Sequence, residues 1–288
     1  MISSNNHERH KFLGLHEKIA LLLLAGLFFF RLIVAGGLGY FVEDRYNSWI
    51  GPITQLGIYL LTAILIWWER NRLADFYIDG LAIAIILLFP PLQTLILAVW
   101  KIPSVFAFPN LPSFAFWIIS IGLALALLAS RFPVPQPRAV SFGWFVIGGL
   151  VGIIAAIFVA YPASQQFITV PRQSFAQLLS DVVLRFPYQI GYAGVTEEPM
   201  FRGFLWGYLR KAGWREIWIW LFQAGLFMLA HVYNLNNSQF SFWVIAPFGG
   251  LVLGLLAWRS RSITTSLAAH GAMNAFAQIL PRVIASYR

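Results

Sequence analysis

Long apolar runs separated by short polar connections dominate this chain from end to end. Runs of the length that crosses a bilayer, about 20 mostly apolar residues, occupy residues 19–42, 50–68, 76–100, 114–130, 140–161, 187–209, 217–233, 240–258 and 263–280. The pattern predicts an all-α, polytopic transmembrane bundle of eight or nine spans. One stretch differs. Over residues 173–186, Gln177, Asp181 and Arg185 recur at helical spacing opposite Phe175, Leu178, Val182 and Phe186. That periodicity predicts an amphipathic helix lying in the membrane interface ahead of the sixth span.

Composition supports this reading. Of 288 residues, 59% are hydrophobic and only 11% charged, against roughly 25% charged in a soluble domain. So little charge cannot coat a water-facing surface, and the 12 Trp suit rings anchored at membrane interfaces. The net charge of +9 does not indicate a nucleic-acid groove, because the basic residues are scattered in pairs between apolar runs. With no cysteine, disulfides, thiolate metal sites and cysteine nucleophiles are excluded.

The apolar run after the basic segment His7 to Lys18 exceeds the length of a secretory signal core and lacks a small-residue cleavage site, so it reads as a retained first span. With the N-terminus inside, the inner loops hold Arg9, Lys11, Lys18, Arg70, Arg72, Arg131, Arg138, Arg210, Lys211, Arg215, Arg259 and Arg261. The outer segments hold Arg45, Lys101, Arg172, Arg185, Arg282 and Arg288. This bias places the N-terminus in the cytoplasm. The organisation expected is a basic cytoplasmic segment over 1–18, helices without recognisable motifs over 19–172, and a motif-bearing core over 173–288.

Ionisable side chains inside apolar spans are costly, at least ~2.5–3.5 kcal/mol each, and so point to function. They cluster here. The sixth span contains Glu197, Glu198, Pro199 and Arg202, the seventh ends in Phe227 through His231, and the ninth carries His270 and Asn274. At about 1.5 Å per residue, Glu197 lies roughly 20 Å from Arg210, His270 roughly 14 Å from Arg261 and His231 roughly 24 Å from Arg215. One buried layer is within reach of all three. Glu198 and Arg202, four apart, share a helix face and can pair. Glu197 points about 100° away with no partner in its own helix, as expected of a general base. His270 and Asn274 share a face and can donate two hydrogen bonds to an oxyanion, while His231 can orient a water with Glu197. Arg31, deep in the first span, reads as snorkelling or pairing with a neighbouring helix. Asp79 reads as an interfacial helix start, Asp181 with Arg185 as a surface pair, and the Gly36-Gly37 and Gly148-Gly149 pairs as close helix contacts. His7, His10 and His16 do not suggest a metal site.

Glu197-Glu198-x-x-x-Arg202, Phe227-x-x-x-His231 and His270-x-x-x-Asn274, in that order and each in its own apolar span, resemble the CPBP family of CAAX prenyl endopeptidases, bacteriocin-processing proteases and Abi proteins. The resemblance spans about residues 191–280. It implies an intramembrane endopeptidase in which Glu197 and His231 activate water, His270 and Asn274 stabilise the oxyanion, and Glu198 with Arg202 braces the site. It also implies a peptide or protein substrate, lipidated in the CAAX branch, and a bacterial plasma membrane. Zinc is the alternative to a glutamate-activated water, with Glu197, His231 and His270 as its ligands. A chain without a His-Glu-x-x-His helix, and with Asn274 beside His270, favours a site with no obligatory metal. The rival class is a non-enzymatic membrane protein, an ion-coupled transporter or a scaffold. The polar residues sit in one half of the chain only, which disfavours the paired half-helices of transporters.

Overall fold

The computed structural model describes residues 14–41, 50–131, 139–165, 172, 174–236 and 238–287. His7, His10, Arg9, Lys11, Arg45, Arg138, Arg288 and the proline-rich segment 132–137 lie outside them. Every element among the described residues is helical. Six helices are long and apolar enough to cross a membrane. They include α1 (Leu15–Phe41), α2 (Ile50–Trp68), α3 (Gly80–Val99), α4 (Leu111–Ala129) and α5 (Ala139–Ser164). Next comes one unbroken helical stretch, α6, over residues 175–211, followed by the shorter apolar α7 (Glu216–Leu229). The sixth candidate span is α8 (Ser241–Ser260), and α9 (Ile263–Ser286) follows it. Lipid-facing surface is evident on α4, where Ile118 and Leu128 are 70% and 75% exposed. A large exposed apolar band has no place in water.

The amphipathic segment is not a separate element. It starts at Phe175 behind a capping box formed by Ser174 and Gln177, and continues through Pro187 into the motif helix. At about 1.5 Å per residue α6 runs roughly 55 Å, well beyond a hydrocarbon core of about 30 Å. Two π segments, Ile190–Gly194 and Pro199–Leu205, interrupt its α geometry and flank the acidic pair. The second begins at Pro199, whose ring would clash with the carbonyl four residues back in an α turn. A wider turn accommodates it and rotates the face that follows. A third π segment, Phe29–Leu38, lies inside α1 and carries Arg31.

Helix ends gather at two poles. At one pole, the Asp79 carboxylate caps α3 by accepting from Ala82 N at 2.9 Å. It also accepts from Ser262 Oγ at 2.6 Å, Thr264 Oγ1 at 2.8 Å and Ser141 Oγ at 3.3 Å. One interfacial side chain thus fastens the starts of α3, α5 and α9. At the same pole Glu69, 1% exposed, accepts from Tyr208 Oη at 2.6 Å and lies 3.1 Å from His16 Nε2 and 2.8 Å from Arg72 Nη2. These contacts join α1, α2 and α6. The opposite pole holds the end of α1, the end of α3, the start of α6 and the end of α9, through contacts such as Arg185 Nη1 with Gln278 Oε1 at 2.8 Å and Arg185 over the Trp100 ring.

Helix α9 packs closely against α5. A Cβ at Gly148 would strike the Thr265 carbonyl, and one at Gly152 the Ala269 carbonyl. Only glycine lets the two backbones approach this far, and the approach sets the position of His270 one residue beyond. Of the Gly148-Gly149 pair, Gly148 makes the contact whereas a Cβ at Gly149 meets nothing within 4 Å. Gly152, one turn on from Gly148, is the second contact.

Candidate functional site

Midway along α6, Glu197 and Glu198 are 4% and 0% exposed. Glu198 pairs within its helix as its spacing suggests: Arg202 Nη1 lies 3.2 Å from Glu198 Oε1. Arg202 is fully buried, donates to the Gly250 carbonyl at 3.3 Å and lies over the Phe227 ring at 4.4 Å. Gln223 Nε2 donates to that same carbonyl at 3.0 Å. Glu198 Oε1 is also 2.7 Å from His270 Nδ1. One carboxylate oxygen therefore ties α9 to α6, and Arg202 ties both to α8.

Glu197 departs from expectation. It has no partner in its own helix, yet it is not unpaired: Arg31 Nη2 lies 2.5 Å from Glu197 Oε1, with both side chains nearly excluded from solvent. The same guanidinium nitrogen is 3.2 Å from His231 Nε2. Arg31 thus does not snorkel; it pairs with a neighbouring helix, the other outcome its place in the sequence suggests. It is the counter-charge of the acidic centre, delivered from α1. Linear spacing could not reveal the pairing, because 166 positions separate Arg31 from Glu197. The one signal was a lone arginine in the middle of an apolar run.

His231 stands just past the end of α7, with φ −110° and ψ 18°, ahead of the short 3₁₀ turn Val232–Leu235. Its partners fix its tautomer. Nδ1 lies 2.7 Å from the Phe227 carbonyl, which can only accept, so Nδ1 carries the proton. Nε2 faces a guanidinium, which can only donate, and therefore accepts. Both ring nitrogens are engaged, and His231 reaches Glu197 through Arg31. On α9, His270 Nε2 is 3.9 Å from Glu197 Oε2, an oxygen that is buried and accepts no hydrogen bond from the described residues. One turn beyond, Asn274 Nδ2 donates to Gln189 Oε1 at 3.4 Å.

These residues share one chamber. A cavity of about 570 Å³ is lined by Arg31, Glu197, His231, His270 and Asn274, together with Gln189, Tyr192 and Phe227. Its volume lies within the range of about 300–1,000 Å³ usual for ligand sites. Glu198 and Arg202 do not line it and lie behind its wall. Gln189 and Thr54 complete the lining without any motif having marked them.

The candidate metal donors are largely paired with one another or with Arg31. Among the described residues no group of three His, Asp or Glu side chains is placed to hold one. Glu197 Oε1 and His231 Nε2 both face the Arg31 guanidinium, and His270 Nδ1 faces Glu198. A cation already stands where zinc would have to bridge the first two.

Residues 179–276 match the model of the family described as type II CAAX prenyl endopeptidase Rce1-like. The chain carries an Rce1-like domain. This is consistent with the CPBP resemblance of its motifs. The Rce1-like domain begins inside the amphipathic part of α6 and ends in α9 beyond Asn274, so it includes both glutamates, Arg202 and both histidines. Arg31 lies outside it, in a helix that the match does not reach. No curated protein and no solved structure matches the chain. Together with this match, the six apolar helices mark an integral membrane protein.

Proposed function

We propose that this protein is an intramembrane endopeptidase that hydrolyses a peptide bond with a water activated by Glu197. The observation that supports this reading is the convergence of Glu197, His231, His270 and Asn274 on one buried cavity. Within it, one oxygen of Glu197 is held by Arg31 and the other accepts no hydrogen bond from the described residues.

In this reading Arg31, itself held by His231, clamps Oε1, and Oε2 takes the proton of the attacking water. As the water oxygen bonds to the scissile carbonyl carbon, charge develops on the carbonyl oxygen. Asn274 Nδ2 donates to it, and His270, held by Glu198 at 2.7 Å from Nδ1, is the second donor proposed there. The proton on Glu197 then passes to the departing amine. Glu198 and Arg202 hold His270 in place. His231, expected to orient the water itself, acts here through the arginine. No metal is obligatory in this scheme, and the substrate is a peptide or protein segment, lipidated or not.

The fuller placement is part of the same proposal. The six apolar helices, α6, α7 and α9 make nine crossings, with the N-terminus in the cytoplasm of a bacterial plasma membrane and the protease core over 173–288. Nucleic acid is not a partner.

The experiment is cleavage of a quenched peptide by the purified protein in detergent, comparing wild type with Glu197→Gln. The amide keeps the volume and removes the base, so cleavage per molecule of folded, purified protein is lost. Full activity in the variant overturns the assignment.

A further inference from the structure

The chamber is open toward one pole of the bundle and sealed toward the other. Its lining runs from Glu197 out to Ile50 at the start of α2, Asn234 in the turn after α7, Ser241 at the start of α8 and Gln278 near the end of α9. Those positions share the pole where Arg185 meets Gln278 and Asn236 donates to the Tyr40 carbonyl. Below Glu197 the path is shut: Phe201, Arg202, Phe204 and Trp206 on α6, and Ile263 and Leu267 on α9, are 0% exposed. The chamber therefore opens from Glu197 toward the Asn234 pole and not toward the other.

The two poles differ in charge. The sealed pole carries Arg70, Arg72, Arg131, Arg210, Lys211, Arg215, Arg259 and Arg261 in its connections. Among the described residues the open pole carries Lys101, Arg172, Arg185 and Arg282. Short loops rich in Lys and Arg stay in the cytoplasm. Charge and cavity together fix a direction: the site faces away from the cytoplasm.

We infer that the substrates are peptide segments presented on the extracytoplasmic side of the membrane, and that a tail prenylated in the cytoplasm is not among them. This rests on the endopeptidase reading above. The wall between mouth and site agrees in chemistry. Gln55, Gln189, Asn234 and Gln278 offer amide donors and acceptors, which suit a neutral peptide main chain, and the Arg31 charge is already matched by Glu197.

The native chain has no cysteine, so single cysteines report sidedness without background. Asn234→Cys and Ser241→Cys mark the mouth, and Arg259→Cys marks the sealed pole. A membrane-impermeant maleimide applied to intact cells should label either mouth variant and leave Arg259→Cys unlabelled until the cells are permeabilised. In parallel, a membrane-impermeant quenched peptide should be cleaved at least tenfold faster by right-side-out vesicles than by inverted ones. Labelling of Arg259→Cys on intact cells with the mouth variants protected, or faster cleavage by inverted vesicles, overturns the inference. Mouth variants that accumulate but label on neither face overturn it too, because the cavity is then closed. Mouth labelling from outside with no cleavage in either vesicle overturns the endopeptidase reading and leaves the direction of opening supported.

Discussion

Replacing Arg31 by Gln removes the cation 2.5 Å from Glu197 Oε1 and 3.2 Å from His231 Nε2. Both members of the ion pair are buried, with side chains 10% and 6% exposed. Surface pairs contribute about 0–1 kcal/mol, but breaking a buried pair on one side leaves an uncompensated charge and costs about 3–5 kcal/mol. At about 2–4 °C per kcal/mol for a chain of this size, the midpoint should fall by roughly 6–20 °C. Glu197→Gln alone should cost a comparable amount through the stranded guanidinium. Combining the two removes both charges, so the double variant should recover most of the loss. The double-mutant cycle then reads out the pair directly. Arg31→Lys should recover only part of the stability, because an ammonium is more strongly hydrated than a guanidinium and costs more to bury. Thermal unfolding in detergent measures the four variants against the wild type, and peptide cleavage is followed alongside. Arg31→Gln should lose cleavage as well, since Glu197 no longer has Oε1 fixed. An Arg31→Gln protein with wild-type midpoint and wild-type cleavage would refute the clamp.

Three further outcomes follow from the same geometry. Asn274→Ala should lower kcat by about 10²–10³ with little change in the unfolding midpoint, because it deletes one donor aimed at the developing oxyanion. Glu198→Gln or Arg202→Ala should lower membrane abundance and thermal stability by about 3–5 kcal/mol, since the partner left behind is fully buried; unchanged abundance in both would remove the bracing role. A strong chelator should leave the cleavage rate of the purified protein unchanged. Stoichiometric zinc, with activity lost on chelation and restored by the metal, would overturn the metal-free scheme while leaving its residues in place.

Much of the fold was legible because membrane helices announce themselves by length and composition. The run at 50–68 and the helix Ile50–Trp68 coincide, and the other runs differ from their helices mainly at the ends. The amphipathic segment was read as separate because its polarity changes near Pro187, yet a change of environment along a helix does not break it, and α6 continues through. The pairing of Glu198 with Arg202 was legible because i,i+4 spacing acts within one helix. The pairing of Glu197 with Arg31 was not, because it depends on α1 packing beside α6 and on a π segment that turns Arg31 inward. His231 was placed inside a span, whereas it lies past the last turn of α7, where the helix no longer dictates its direction. Gly152 carried no signal apart from its spacing to Gly148.

The Asp79 and Glu69 hubs have a mechanical consequence. Both lie at the same pole, so six helices are pinned there by charge-assisted hydrogen bonds, while the mouth of the chamber lies at the far ends of the helices. Helices fixed at one end behave as levers. A tilt of about 5° around such an anchorage displaces the far end by roughly 2.6 Å across the ~30 Å hydrocarbon core, and moves the midplane by about half as much. The mouth therefore has the widest travel for a given tilt, and the layer holding Glu197 has much less. A passing peptide can be admitted by splaying the unpinned ends of the bundle, with the proton-handling groups staying close to their bonding distances.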